Sequence, residues 1–158
     1  MRLSLILLLV VPTLFLKAND WPTWRGANGN GSGNENNLPE NWSASQNVLW
    51  QVKMPEPGNS SPIVSKGKVF TTQATKEGKR RALLCFDRFT GKKLWERATP
   101  FPEKEPTHKT NPFCSASPAT NGKVVVVTYG SAGMIAYDFE GKEVWRRNDL
   151  GPQRHLWG

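Results

Sequence analysis

Apolar residues recur along the chain in short runs separated by turn formers. VLWQVKM (48–54), SPIV, VFTTQ, RALLCF, KLWER, SPAT, VVVVTY, MIAY and EVWRR follow one another, each four to seven residues long and bounded by Gly, Pro, Asn or Lys. They are rich in β-branched and aromatic side chains, which fit a pleated surface. No stretch carries an apolar stripe at i, i+3, i+4, i+7 long enough for a helix. The pattern predicts an all-β fold of many short strands: a sandwich, a barrel or a propeller.

Internal repetition decides among these. Ser61-Pro62 recurs at Ser117-Pro118, Gly67-Lys68-Val69 at Gly122-Lys123-Val124, Asp87 at Asp138, and Gly91-Lys92 at Gly141-Lys142. Trp50, Trp95 and Trp145 are spaced by 45 and 50 residues. Each copy predicts four strands, and four strands at a period of ~40–50 residues is the sequence form of a β-propeller blade. Pro lacks the N–H a ladder needs, so Pro62 and Pro118 belong at the start of the innermost strand. Asp87 and Asp138 are placed to accept turn N–H groups. Gly91 and Gly141 are placed to supply positive φ on the way to the outer strand. Trp95 and Trp145, each offering ~150–250 Å² of burial, then become wedges between neighbouring sheets.

DRFTGKKLW (87–95) resembles the tryptophan-docking repeat of quinoprotein-type (PQQ-like) β-propellers, Ala-x-Asp-x-x-Thr-Gly-x-x-x-Trp, with Cys85 at the first, small position. The second copy keeps Ala136, Asp138, Gly141 and Trp145, lacks the Thr, and is one residue shorter between Asp and Gly. DWPTWRG, LPENW and HKTNPFCSASP are similar to segments of exported members, so the resemblance runs from about residue 20 to the C-terminus. It implies a ring of about seven or eight blades. Two are expected here, about residues 60–97 and 115–147, with Val48–Lys53 a Trp-bearing strand that completes the last blade. On that basis the chain is expected to be the N-terminal part of a longer protein.

The first 18 residues change the setting. Arg2, an apolar run Leu3–Leu16 and the small Ala18 have the layout of a secretory signal peptide. Cleavage is expected near Ala18–Asn19, giving a periplasmic or extracellular protein with no transmembrane span. Residues 19–47 follow as a Gly/Asn-rich extended lead-in, expected to be pinned by Trp21, Trp24 and Trp42. The charge is +8. The lysines fall in turns (Lys66, Lys68, Lys76, Lys79, Lys92, Lys93, Lys142), spread along the chain, and read as solvated rather than as a nucleic-acid footprint. Cys85 sits in the apolar run LLCF and reads as a small buried hydrophobe. Whether it pairs with Cys114 stays open.

Candidate chemistry is sparse. His108 and Asn111, and Arg154 and His155, lie in the two loops that precede inner strands, the face on which propellers gather ligands. They form a candidate polar cluster, or else they satisfy their own loop backbones. Neither His has a second ligand at metal spacing. No serine has a nucleophile elbow, and GANGNGSGN lacks the Lys-Ser/Thr ending of a phosphate loop. The expected function is a non-enzymatic exported scaffold that binds another protein or an extracellular polymer, without a cofactor and without nucleic acid. The resemblance also implies a second reading, a PQQ- and calcium-dependent dehydrogenase, whose adjacent cysteines, catalytic aspartate and calcium ligands would have to lie in sequence beyond this chain. A third, a sugar-binding propeller, rests on Trp21, Trp24 and Trp157.

Overall fold

The computed structural model describes residues 19–36, 38–103 and 105–153. The predicted signal peptide, Arg154, His155 and Trp157 lie outside them. Two antiparallel four-stranded sheets follow one another in chain order. The first comprises β1 (Ile63–Ser65), β2 (Lys68–Thr75), β3 (Arg80–Asp87) and β4 (Lys93–Pro100). The second comprises β5 (Ala119–Thr120), β6 (Val125–Thr128), β7 (Met134–Tyr137) and β8 (Glu143–Arg147). Each is a simple meander, β1-β2-β3-β4 and β5-β6-β7-β8, as blades of a propeller are. Pro62 and Pro118 immediately precede the innermost strands, where a missing N–H costs no ladder bond.

Strand alternation divides the first sheet between two cores. Ile63, Phe70, Leu83 and Cys85 pack with Val125, Val127, Ile135 and Tyr137 of the second sheet. Ala82, Leu84 and Phe86 point the other way and are covered by Val69 and Met54. The period of two along β3 therefore lets one strand serve two interfaces. Both sheets slip register at equivalent places, Cys85/Phe86 and Ala136/Tyr137, just before the Asp turn.

The inter-blade joint is built around one indole. Trp95 on β4 pairs with Cys85, so it faces the second sheet. It lies against Phe70 and Tyr137 at ring-centroid distances of 5.8 and 6.4 Å. Its Nε1 donates to the Phe139 carbonyl at 3.0 Å. That carbonyl belongs to the turn of Asp138, whose Oδ1 accepts from the N–H groups of Glu140 and Lys142. Gly141 holds φ at +82°, and a Cβ there would sit 2.9 Å from the Trp95 ring. Glycine is thus required twice, by the left-handed backbone and by the indole lying on it. Arg97 extends the joint by donating to the Gly141 carbonyl at 2.6 Å.

The same joint recurs one blade earlier. Asp87 Oδ1 accepts from the N–H groups of Phe89 and Thr90 and from the Thr90 hydroxyl. The Thr90 contacts hold its carboxyl below the usual range. Trp50 donates Nε1 to the Arg88 carbonyl at 2.8 Å, and a Cβ on Gly91 would lie 2.6 Å from its ring. Residues 48–53, expected to be a strand, form none here. No described strand lies beside them to complete a ladder, and Trp50 is held by its indole alone. Trp145 occupies the equivalent place on β8 and is 39% exposed.

The lead-in differs from expectation at two of its three tryptophans. Trp21 does pin the chain: it exchanges backbone hydrogen bonds with Val64 at 2.8 and 2.9 Å, along the free edge of β1. The Pro22 carbonyl then accepts from Thr120 N–H at 2.9 Å, so one short segment touches the inner strands of both blades. Trp24 and Trp42 are 66% and 71% exposed and pin nothing. Only Arg25 stands over Trp24, and an exposed cation–π contact is worth little.

Two predictions follow from the joint. Trp95→Phe keeps an aromatic wedge but removes the indole donor to the Phe139 carbonyl, which retains the Lys68 ammonium, and is expected to cost about 0.5–1.5 kcal/mol in urea unfolding. Gly141→Ala is expected to cost at least as much. Gly29→Ala, which also has positive φ but nothing within 4 Å of a Cβ, should lose only the backbone-strain part, about 1 kcal/mol.

Candidate functional site

Consecutive antiparallel strands send alternate connections to opposite ends of the sheets. The glycine- and lysine-bearing turns (65–68, 87–92, 121–124, 138–142) gather at one end, the turn end. The β2–β3 turn (76–79), the long β4–β5 connection (101–118) and residues 129–133 gather at the other, the loop end. The connection is tied down there by the Phe101 N–H, which donates to the Lys79 carbonyl at 2.8 Å, and by Phe113 over Gly78.

Between these loops lies a cavity of about 470 Å³ lined by Arg81, Glu105, Thr107, Asn111, Phe113 and Tyr129 among others. Its charged centre is Arg81, on β3, with a side chain only 3% exposed. Nε donates to the Gly78 carbonyl at 3.0 Å, Nη1 to the Tyr129 carbonyl of the second blade, and Nη2 to Glu105 Oε2 at 2.5 Å. The guanidinium lies over the rings of Phe101 and Phe113, 4.6 and 5.5 Å from their centroids. A buried cation is tolerated only when paired and hydrogen-bonded, and Arg81 has both. It clamps three pieces of chain: its own blade, the connection and the next blade.

The two predicted loop residues within the described chain sit beside this clamp. Asn111 lines the cavity, and its N–H donates to the His108 carbonyl at 2.9 Å. His108 Nδ1 is 2.8 Å from the Thr110 hydroxyl, and Thr107 Oγ1 donates to the Asn111 carbonyl. His108 and Asn111 therefore shape their own loop, and Asn111 is among the residues that line the cavity. Arg81 and Glu105 were missed in the sequence. Arg81 opens the run RALLCF, where an arginine between Arg80 and an apolar stretch reads as a strand edge. Only the fact that it shares a face with Leu83 and Cys85 could have marked it as buried.

The remaining ionisable candidates carry structure. Asp87 and Asp138 are bound to their turns. Cys85 and Cys114 are both free thiols, so they do not pair. Burial pushes them to about 12 and about 11 respectively. Burial also raises Tyr129 well above the ordinary phenol value. Among the described residues no group of three or more His, Cys, Asp and Glu side chains comes together in a metal-holding arrangement. A second, larger hollow of about 600 Å³, lined by Trp50, Met54, Pro55, Val69 and Phe86, lies on the far face of the first blade.

The family model described as "Outer membrane protein assembly factor BamB" matches residues 42–157, which includes both blades, both docking turns and the loop-end cavity. The chain belongs to this family of PQQ-like β-propellers. Among solved structures it is similar to BamB from Moraxella catarrhalis, with 14% identity and a TM-score of 0.32, over 60% of this chain and 36% of that one. This chain thus spans little more than a third of the BamB structure. No curated protein matches. In this chain the loop-end pocket holds the Arg81–Glu105 ion pair, and no helix among the described residues is long and apolar enough to cross a membrane.

Two outcomes are expected from the site. Arg81→Met leaves Glu105 buried without its counter-ion and should cost about 3–5 kcal/mol, whereas Glu105→Gln, which keeps a neutral acceptor, should cost less. With ordinary thiols near 9, thiol reagent at pH 8 should modify native Cys85 about a thousandfold, and Cys114 about a hundredfold, more slowly than the unfolded chain. Fast native labelling would contradict the burial described.

Proposed function

We propose that the protein is an exported, non-enzymatic binding scaffold whose loop end receives another protein or an extracellular polymer. One observation carries this reading: the charged pair that the fold brings together at the loop end is used in holding the blades. Arg81 directs three of its five N–H groups at two carbonyls and Glu105, and the His108 ring nitrogen meets Thr110 within its own loop. What faces outward is a shaped, half-polar hollow with rigid proline and aromatic walls, suited to recognition. The printed description of the family names an outer membrane assembly factor, and an envelope location accords with the leader-like sequence of residues 1–18.

The reading requires no cofactor. A quinone–calcium site calls for an oxygen-rich cation cage, and the one carboxylate lining the loop-end cavity, Glu105, is already paired with Arg81. We also propose that these blades belong to a longer propeller. Trp50 and Trp95 each lie on the Gly turn of a following blade, while Trp145 has no such turn beneath it among the described residues.

The test is a photo-crosslinking amino acid at Thr107 in cells exporting the full-length protein, with PQQ and Ca²⁺ titrated into the purified protein in parallel. A discrete adduct at Thr107, absent at the turn-end position Thr90, is expected. Saturable quinone binding with dye-linked turnover would replace the scaffold reading with the dehydrogenase one.

A further inference from the structure

We propose that the turn end is a bilayer-facing surface that takes anionic phospholipid headgroups. Several of the lysines that look scattered along the sequence are brought by the meander onto this one end, while Lys76 and Lys79 lie at the other. Lys66, Lys92, Lys123 and Lys142 all lie in its turns and are exposed. The turns are in contact. A Cβ on Gly122 would lie 3.8 Å from Lys66 Cε, the Lys66 ammonium is 5.4 Å from the Phe139 ring, and the Arg88 N–H donates to the Gly67 carbonyl at 3.0 Å.

The acids at this end are already engaged. Asp87 and Asp138 accept the N–H groups of their own turns. Asp20 accepts from the Ser65 hydroxyl and the Lys66 N–H. Glu140 pairs with Lys68, whose ammonium also donates to the Phe139 carbonyl at 2.6 Å. Lys66, Lys92, Lys123 and Lys142 form no ion pair within the described residues, so their ammonium groups remain available to an external anion.

Two features favour a bilayer over a soluble anionic polymer. Phe89, in the turn between Asp87 and Gly91, is 66% exposed among these lysines. An aromatic within a basic rim fits the headgroup boundary, where an apolar tip gains from insertion and the charges from anionic lipid. Asp20, four residues beyond the end of the apolar run Leu3–Leu16 in sequence, also joins the body at this end. Export of the chain through such a run would deliver this end next to a membrane. The proposal concerns the opposite end from the loop cavity, so either can fail alone.

The experiment is cosedimentation of the exported protein with phosphatidylcholine vesicles, with and without phosphatidylglycerol, at low and high salt. Binding is expected only with phosphatidylglycerol and should weaken with salt. Lys92→Glu with Lys142→Glu should weaken it by about 25-fold or more, each lysine near an anionic surface being worth about fivefold. Lys76→Glu with Lys79→Glu makes the same charge change at the loop end and should have little effect. Lys92→Gln with Lys142→Gln removes charge without reversing it and guards against misfolding. Phe89→Ser should weaken vesicle binding several-fold and leave binding to alginate unchanged. Equal losses from the two lysine pairs, or no preference for phosphatidylglycerol, would overturn the proposal. So would alginate binding as tight as vesicle binding with no effect of Phe89→Ser.

Discussion

The two blades are one body because an indole lies on a glycine. Trp95 crosses from the outer strand of one sheet to the turn of the next, where the absence of a side chain at Gly141 leaves room for its ring and the Phe139 carbonyl takes its N–H. The rest of the joint is arranged around this contact. Asp138 fixes the turn that presents the carbonyl. Phe70 and Tyr137 fill the space on either side of the ring. The core of Ile63, Leu83, Val125 and Ile135 closes beneath it. Removing the glycine or the tryptophan attacks the same few square ångströms from opposite sides.

Arg81 is the counterpart at the other end. A repeat protein whose units touch only their neighbours draws its stability from such nearest-neighbour interfaces. Here one interface has an aromatic lock at the turn end and a charged clamp at the loop end. The clamp is what makes the loop-end cavity a fixed shape. It also commits three of the five N–H groups of the cavity's cation to the Gly78 and Tyr129 carbonyls and to Glu105.

The blade repeat was legible in the sequence because each of its parts has a local cause. Asp makes a turn with its own N–H groups, Gly supplies an unusual φ, and Pro declines a ladder bond. These needs are met within a few residues, so they leave a mark at fixed spacing. The strand expected at residues 48–53 shows the limit: its pattern is strand-like, but a strand requires a neighbour, which local pattern cannot supply. The exposure of Trp24 and Trp42 shows the same limit for burial.

The sites were less legible because they are products of assembly. Arg81 is buried by Phe101, Phe113 and Tyr129, which lie 20 to 48 residues away. The basic turn end arises because a meander returns every second connection to the same side, which no linear reading of lysine spacing displays. The most direct test of the central joint is a double-mutant cycle on urea unfolding with Trp95→Ala and Gly141→Ala. If the indole rests on the glycine, the second mutation should cost little once the first is made, with a coupling energy above about 1 kcal/mol. Additive losses would mean that the two residues stabilise the fold separately and that the blades are joined by something else.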